Sequence, residues 1–442
     1  MGGSKRYAVF MGVAVLCTAG PVLARQLPAG PETPKITLGE AISRSNRVQP
    51  RVIQANGTIL NAAARLRAAS GAFLPNLNLN ASGSNTFSEG ARVDNATGEL
   101  LTSGTTNQSI GTSISSSVDL FAGFRRTGEK RAANANQDAA EAGLSDALFQ
   151  NQLTTTNAFF DVLAAQELLR VREASVRRAE EQLKVAVAKL QAGRGIRPDS
   201  LRSLVTLGNT QLQQLNAIAA LATAEANLGR LVGENGPVGA VDDSTLYRTL
   251  PSVETAALRT EAVANSPTVK AAEAQAGASR AAITVAKAAY FPTLTLSGSA
   301  NLDGSRSQDY TLLKRRSFQL QMSWPIFNRF QREQSVANAN VNADNAEATA
   351  AEARRQVYAS LTAALAALET ARLRIGITQT SVAAAQEDLR VQQDRYRLGA
   401  STIVDLLTSQ EALNQAEVDA VTARFDYVRA KAQISALIGR TL

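Results

Sequence analysis

The order of apolar and polar residues changes period along the chain, and each change marks an element. In "SFQLQMSWPIF", residues 317–327, Phe318, Leu320, Met322, Trp324 and Ile326 alternate with polar residues such as Ser317, Gln319, Gln321 and Ser323. A period of two puts one oily and one wet face on a strand. From Asn328 the period lengthens. Ala343, Ala346, Ala350, Ala353, Val357, Leu361, Ala364, Leu368, Ala371, Ile375, Thr378, Val382, Ala385, Leu389, Gln392 and Tyr396 step by threes and fours with no proline between them. This predicts one helix over about 328–398. At 1.5 Å per residue it is roughly 100 Å long, too long for the inside of a globular domain. It belongs in a coiled coil or a long bundle. Alanine dominates the seam, so neighbours approach closely. The heptad spacing breaks at Ala353, Val357 and Leu361, which relaxes the supercoil there. A solvated rod and a tube wall both fit this pattern.

The chain writes its plan twice. "AFLPNLNLNASGS" at 72–84 matches "AYFPTLTLSGSAN" at 289–301, with Pro75 on Pro292, a shift of 217. "VDLFAGFRR" at 118–126 matches "WPIFNRFQR" at 324–332, a shift of 206 that persists to "LGRLVG" at 228–233 and "ISALIG" at 434–439. The surplus falls in "SEGARVDNATGELLTSGTT", which reads as a loop. Two internal repeats are therefore expected: residues 37–232 and 253–442, joined by a linker at 233–252 and preceded by one at 25–36. The first repeat holds strands at about 75–85 and 107–121 and long helices at about 123–192 and 199–232. The second holds strands at about 292–301 and 316–327 and long helices at about 328–398 and 402–439. Thr37 and Glu40 have capping-box spacing. Pro50 and Pro267 open short helices that Pro75 and Pro292 stop. Leu77, Leu79 and Ala81 alternate with asparagines, Ile110, Ile114, Val118 and Leu120 with serines, and Leu294 and Leu296 with threonines.

Composition narrows the function. There is no histidine, and the one cysteine, Cys17, lies in the N-terminal apolar stretch. Histidine triads, thiol nucleophiles and Cys/His metal sites are excluded from the mature chain. No phosphate-binding loop or G-x-S-x-G is present, so no enzyme, cofactor or metal is expected. The net charge of +8 is spread along the 442 residues, whereas a nucleic-acid footprint would be clustered; no nucleic acid is expected. Residues 1–24 read as a signal peptide: Lys5 and Arg6, an apolar core from Ala8 to Leu16, and small residues ending at Ala24.

The strands have the length and alternation of membrane β-strands. Phe73, Phe121, Phe124, Tyr290, Phe291, Trp324, Phe327 and Phe330 cluster where strands meet helices, as an aromatic girdle would. Four strands cannot close a barrel, since the smallest membrane barrels use about eight, and an open edge is not tolerated in lipid. Chains must share one barrel; two would give eight strands and three twelve.

The whole mature chain resembles the TolC-like outer membrane efflux proteins, most specifically in "YRLGASTIVDLLTSQEAL" at 396–413 and its weaker copy "LQAGRGIRPDSLRSLVTL" at 190–207. The resemblance implies a mainly α fold with a small membrane β part. It further implies a homotrimer whose twelve-stranded barrel, four strands per chain, continues into a helical coiled-coil periplasmic tube. It implies an exit duct of a tripartite efflux pump or type I secretion system in a Gram-negative outer membrane. Its partners would be a periplasmic adaptor, an inner-membrane ABC or RND-type transporter, and outer-membrane lipid. Phe318, Leu320, Met322, Trp324 and Ile326 would face lipid. Gly193, Gly399, Ala400 and Ser401 would form the adaptor-docking turns, and Asp405, Asp199, Tyr396, Thr408, Arg194 and Arg197 the pore mouth. Against the best-known member, Ser401 replaces an arginine and Thr408 a second aspartate, so the aspartate ring is reduced. Arg194 and Arg197 offset Asp199. Asp405 also fits a capping box with Thr402, Gly193 and Gly399 fit helix C-terminal glycines, and Tyr396 fits either packing or a hydroxyl gate contact. The alternative function is a periplasmic or surface coiled-coil scaffold without a channel.

Overall fold

The computed structural model describes residues 33–93, 98, 100–101, 105–243, 255–306 and 309–440. The expected signal peptide lies outside them. In chain order the elements are β1 (Lys35–Ile36), α1 (Leu38–Val48), α2 (Pro50–Gly71), β2 (Asn76–Ser88), β3 (Arg92–Val93), β4 (Leu100–Leu101), β5 (Thr105–Ala122), α3 (Arg125–Gln191) and α4 (Arg197–Val232). Then follow β6 (Gly239–Ala240), α5 (Thr255–Asn265), α6 (Pro267–Lys287), a 3-10 turn at Ala288–Tyr290, β7 (Thr293–Ser305), β8 (Leu313–Ser323), α7 (Gln331–Leu398) and α8 (Ile403–Ile438). The fold is mainly α with one four-stranded sheet, β2-β5-β7-β8, and two two-stranded pairs among the described residues.

The helices form two long hairpins, α3 with α4 and α7 with α8, and α6 and α8 pack against α3. Every residue of the Ala343–Tyr396 seam is buried or half-buried while most of the rest of α7 is exposed. The middle of the bundle carries most of the core. Phe159, Phe160, Leu163, Leu228 and Phe425 meet there, and a second cluster joins Leu258, Val269, Leu361, Ile434 and Ile438. The stretches expected as linkers are structured where described. Lys35–Ile36 pairs in parallel with Gly239–Ala240, because Ile36, Val238 and Ala240 have buried side chains and their backbone must then be paired.

The sheet has order β2-β5-β7-β8, all antiparallel. Its register sorts the side chains. Across one face run the rows Leu79–Ile114–Ala300–Arg316 and Val118–Leu296–Leu320. Across the other run Asn78–Ser115–Ser299–Ser317 and Asp119–Thr295–Gln321. The apolar face is bare: Phe318 is 87% exposed and Leu77 75%. Neither edge strand, β2 or β8, has a second partner among the described residues.

Three details differ from the expectation. The strand expected at 316–327 is β8 and ends at Ser323, because Pro325 has no N–H for the ladder. Trp324 and Ile326 therefore lie past the strand, although both are exposed. Leu120 is not the next residue of the apolar row. The register shifts between Asp119 and Phe121, so Phe121 stands opposite Leu294 and Leu120 is the extra residue of a bulge. The surplus loop carries its own short hairpin, β3 paired with β4.

At the helical end of the sheet the aromatics gather. Phe121 meets Phe124 edge-on at 5.4 Å, Phe124 meets Phe291 at 5.6 Å, and Phe327 meets Phe330 at 5.5 Å. Arg126 lies over Phe73 and Arg332 over Tyr290. The Trp324 indole N–H donates to the Tyr290 carbonyl at 3.2 Å.

Candidate pore mouth

The two helical hairpins end side by side, at the ends of α3 and α7 farthest from the sheet. Each turn is set by a left-handed glycine. Gly399 has φ +79 and Gly193 φ +69, a conformation that costs glycine nothing. Behind Gly399 the Ala400 amide donates to the Arg395 carbonyl at 2.8 Å, and behind Gly193 the Arg194 amide donates to the Lys189 carbonyl at 2.9 Å. These bonds satisfy carbonyls that the helix ends would leave open.

Helix α8 starts with a complete capping box. The Asp405 amide donates to Thr402 Oγ1 at 3.2 Å, and Asp405 Oδ2 accepts from the Thr402 amide at 3.1 Å and its hydroxyl at 2.7 Å. The Thr402 hydroxyl first, and its backbone N–H second, hold the Asp405 carboxyl below its ordinary range; Arg395 adds to the lowering, and desolvation opposes it. Asp405 is exposed, and only Oδ2 of its carboxylate is used by the cap. Thr408 turns its hydroxyl back to the Val404 carbonyl at 2.9 Å. Ser401 reaches the Gln392 carbonyl at 3.5 Å, and Ala400 is exposed.

The turns are tied together through Tyr396. It is 5% exposed and packs with Leu389, Ile403, Leu406 and Leu413. The Lys189 ammonium lies 3.9 Å from its ring centroid and also donates to the Tyr396 carbonyl. Burial pushes the Tyr396 phenol above its usual range, and the nearby Asp199 carboxylate adds to this. The Tyr396 hydroxyl makes no hydrogen bond among the described residues, so the contact here runs through ring and carbonyl. Arg194 and Arg197 are exposed, and neither forms an ion pair with Asp199 among the described residues. Any offset of the Asp199 charge by these two arginines is therefore exerted at longer range than a direct ion pair.

Beneath the tips, Arg178 bridges α3 to α8 through Glu417 and Asn414, each at 2.7 Å. Beside it lies a groove of about 370 Å³ lined by Arg178, Gln182, Tyr396, Leu406 and Gln410 among others. Sequence reading missed Lys189. The 206 shift places it on Arg395, which also turns to its own loop by donating to the Ala400 carbonyl at 3.3 Å. It also missed the bare apolar tips: Leu398 is 85% exposed and Ile196 61%.

The family model for outer membrane efflux proteins matches twice, over residues 41–234 and 258–440. The chain belongs to that family. Among relatives of this efflux protein, the pyoverdine export outer membrane protein OpmQ of Pseudomonas aeruginosa is 27% identical over 339 residues, 75% of this chain and 69% of that one. The cobalt-zinc-cadmium resistance protein CzcC of Cupriavidus metallidurans is 24% identical over 324 residues, 73% of this chain and 76% of that one. The crystal structure of VceC from Vibrio cholerae matches the efflux protein with a TM-score of 0.76 at 16% identity, covering 91% of this chain and 96% of that one. The fold is shared.

Proposed function

We propose that three copies of this efflux protein close one twelve-stranded barrel in the outer membrane and continue it into a periplasmic helical tube, a passive exit duct. The observation that carries this reading is the sheet. Its apolar face has no cover, its other face is a field of hydroxyls and amides, and both its edges are open. In water such a face is an association site, and in lipid such edges must close on other strands. The apolar face then meets hydrocarbon, and the Asn, Ser, Thr and Gln face lines the bore.

At the far end the turns around Gly193 and Gly399 dock a periplasmic adaptor, with Leu398 and Ile196 as the apolar anchors. Asp405, three times around the axis, lines the mouth while it caps α8. An inner-membrane transporter of ABC or RND type supplies the energy. The named exports of OpmQ and CzcC differ in chemistry, so the transporter selects the cargo and the duct, lined mainly by uncharged polar side chains with Asp119, Asp303 and Arg315 among them, passes it. Mass measurement of the detergent-purified protein and conductance in planar bilayers test the reading. A trimer with discrete channels is expected. A water-soluble monomer without conductance overturns it and favours a coiled-coil scaffold.

A further inference from the structure

Three consecutive basic residues, Lys314, Arg315 and Arg316, open strand β8. The pleat separates them. Arg315 points to the polar face, where it pairs with Asp303 at 2.6 Å. Lys314 and Arg316 point to the apolar face, opposite Leu302 and Ala300. Both are exposed, and neither has a hydrogen-bond or ion-pair partner among the described residues. They are the only charges on that face of the four strands. The sheet's two acids, Asp119 and Asp303, both stand on the other face. Edge strand β2, "NLNLNASGSNTFS", has no charge at all, so a second copy pairing beside β8 brings no counter-ion from the strand itself; the first acid beyond it is Glu89.

Their height gives the pair a meaning. Trp324 lies with the aromatics at the helical end of the sheet. Lys314 is ten residues further along the strand direction, about 33 Å at 3.3 Å per residue. With the usual strand tilt this is about 25 Å along the membrane normal, the height of an apolar band. Lys314 is thus at the opposite headgroup level, and Arg316 is close enough beneath it for its long stem to reach that level. At such a height a basic residue on the lipid face costs almost nothing, whereas at the midplane it would be strongly disfavoured.

We infer that Lys314 and Arg316 form a lipid-phosphate site, a two-cation clamp for the phosphorylated headgroups of the outer leaflet. This rests on the assignment of the apolar face to lipid. A phosphate monoester offers several acceptor oxygens to the guanidinium fork and the ammonium. Three copies would ring the barrel with six cations at one level and hold a collar of anionic lipid.

The test uses the full-length trimer in zwitterionic nanodiscs doped with a diphosphorylated glycolipid or with its dephosphorylated form. Wild type should prefer the phosphorylated form by at least about tenfold. Each cation at an anionic surface contributes about fivefold, so Lys314→Gln with Arg316→Gln should weaken binding about thirtyfold per site. Lys314→Arg with Arg316→Lys should retain it, and Arg315→Gln should leave it unchanged. Inorganic phosphate alone should bind far more weakly than the glycolipid. Equal wild-type affinity for both glycolipids overturns the clamp whether or not the variants assemble, and so does unaltered binding in the double glutamine variant. The chain's single tryptophan, Trp324, separates this from the underlying reading. Quenching by brominated lipid tails together with unaltered binding rejects the clamp alone. An unquenched Trp324 rejects the lipid face itself.

Discussion

Replacing Leu320 with arginine puts the two faces of β8 in direct competition. Leu320 stands opposite Leu296, which stands opposite Val118, so the row is apolar across three strands. It is four residues from Trp324, about 13 Å along the strand and about 10 Å along the normal after tilt. In a band about 25 Å tall this is near the middle, where an arginine costs about 2–4 kcal/mol. A trimer carries three copies, so assembly loses about 6–12 kcal/mol. That is comparable to the whole stability of an ordinary domain. Gln321, one residue on, faces the other way. It stands opposite Thr295, whose hydroxyl donates to Asp119 Oδ1 at 2.9 Å. An arginine there has water and a carboxylate beside it, and such an exposed pair changes stability by about 0–1 kcal/mol. Leu320→Arg should therefore give little or no trimer in outer-membrane extracts by size exclusion with light scattering. Gln321→Arg should give normal trimers with altered single-channel conductance. Equal yields from the two variants would refute the assignment of faces.

Asp405→Asn keeps an acceptor for Thr402, so trimers should form normally. Its channels should lose cation selectivity in planar bilayers and be blocked less by multivalent cations, since the ring of charge is gone; unchanged selectivity leaves capping as its only role. The folded carboxyl of Asp405 is lowered, so its charge and its support of α8 are present above the ordinary carboxylate pKa and vanish as pH falls through the lowered value. Thr402→Val removes the largest cause of that lowering, and the pH at which selectivity fades should move up; an unmoved midpoint counts against the hydroxyl's part. Phe425→Ala empties a fully buried site in the central core and should cost about 3–5 kcal/mol, read as a lower unfolding midpoint in detergent. A midpoint within a degree of wild type would mean that the core does not close around that ring.

What could be read from the chain followed from period and from small residues at ends. The long helices showed themselves because an unbroken step of threes and fours admits no other conformation. The turns showed themselves because Gly193 and Gly399 each follow a helical run. The alternation in β8 ran on past the true strand end, since Trp324 and Ile326 keep the apolar period while Pro325 removes the hydrogen bond. The extra residue at Leu120 was equally hidden, because a bulge is a property of two strands in register and not of one. Lys189 was missed for a further reason. A lysine in the last turn of a helix is ordinarily a partner of the helix dipole, and nothing local says that its tip crosses to the ring of Tyr396 in the other repeat.

The same contrast explains how a short strand can feed a long helix. The chain must reverse its period within a few residues, and both repeats do so with two consecutive left-handed residues: Gly123 and Phe124 in one, Arg329 and Phe330 in the other. Glycine accepts that conformation freely, but arginine and phenylalanine do not. Local strain of this kind persists only where the surroundings hold it. At the second junction Arg332 donates to the carbonyls of Pro325 and Ile326 at 3.1 and 3.2 Å while lying 4.8 Å from the ring centroid of Tyr290. At the first, Arg126 takes the same place with the carbonyls of Ala72 and Leu120, each at 3.4 Å, and the ring of Phe73 at 5.0 Å. Each arginine thus ties the strand end and the preceding aromatic to the first turn of its long helix. The 206-residue shift that aligns Arg126 with Arg332 is therefore the repeat of one device, a clamp that turns a strand of the sheet into a long helix.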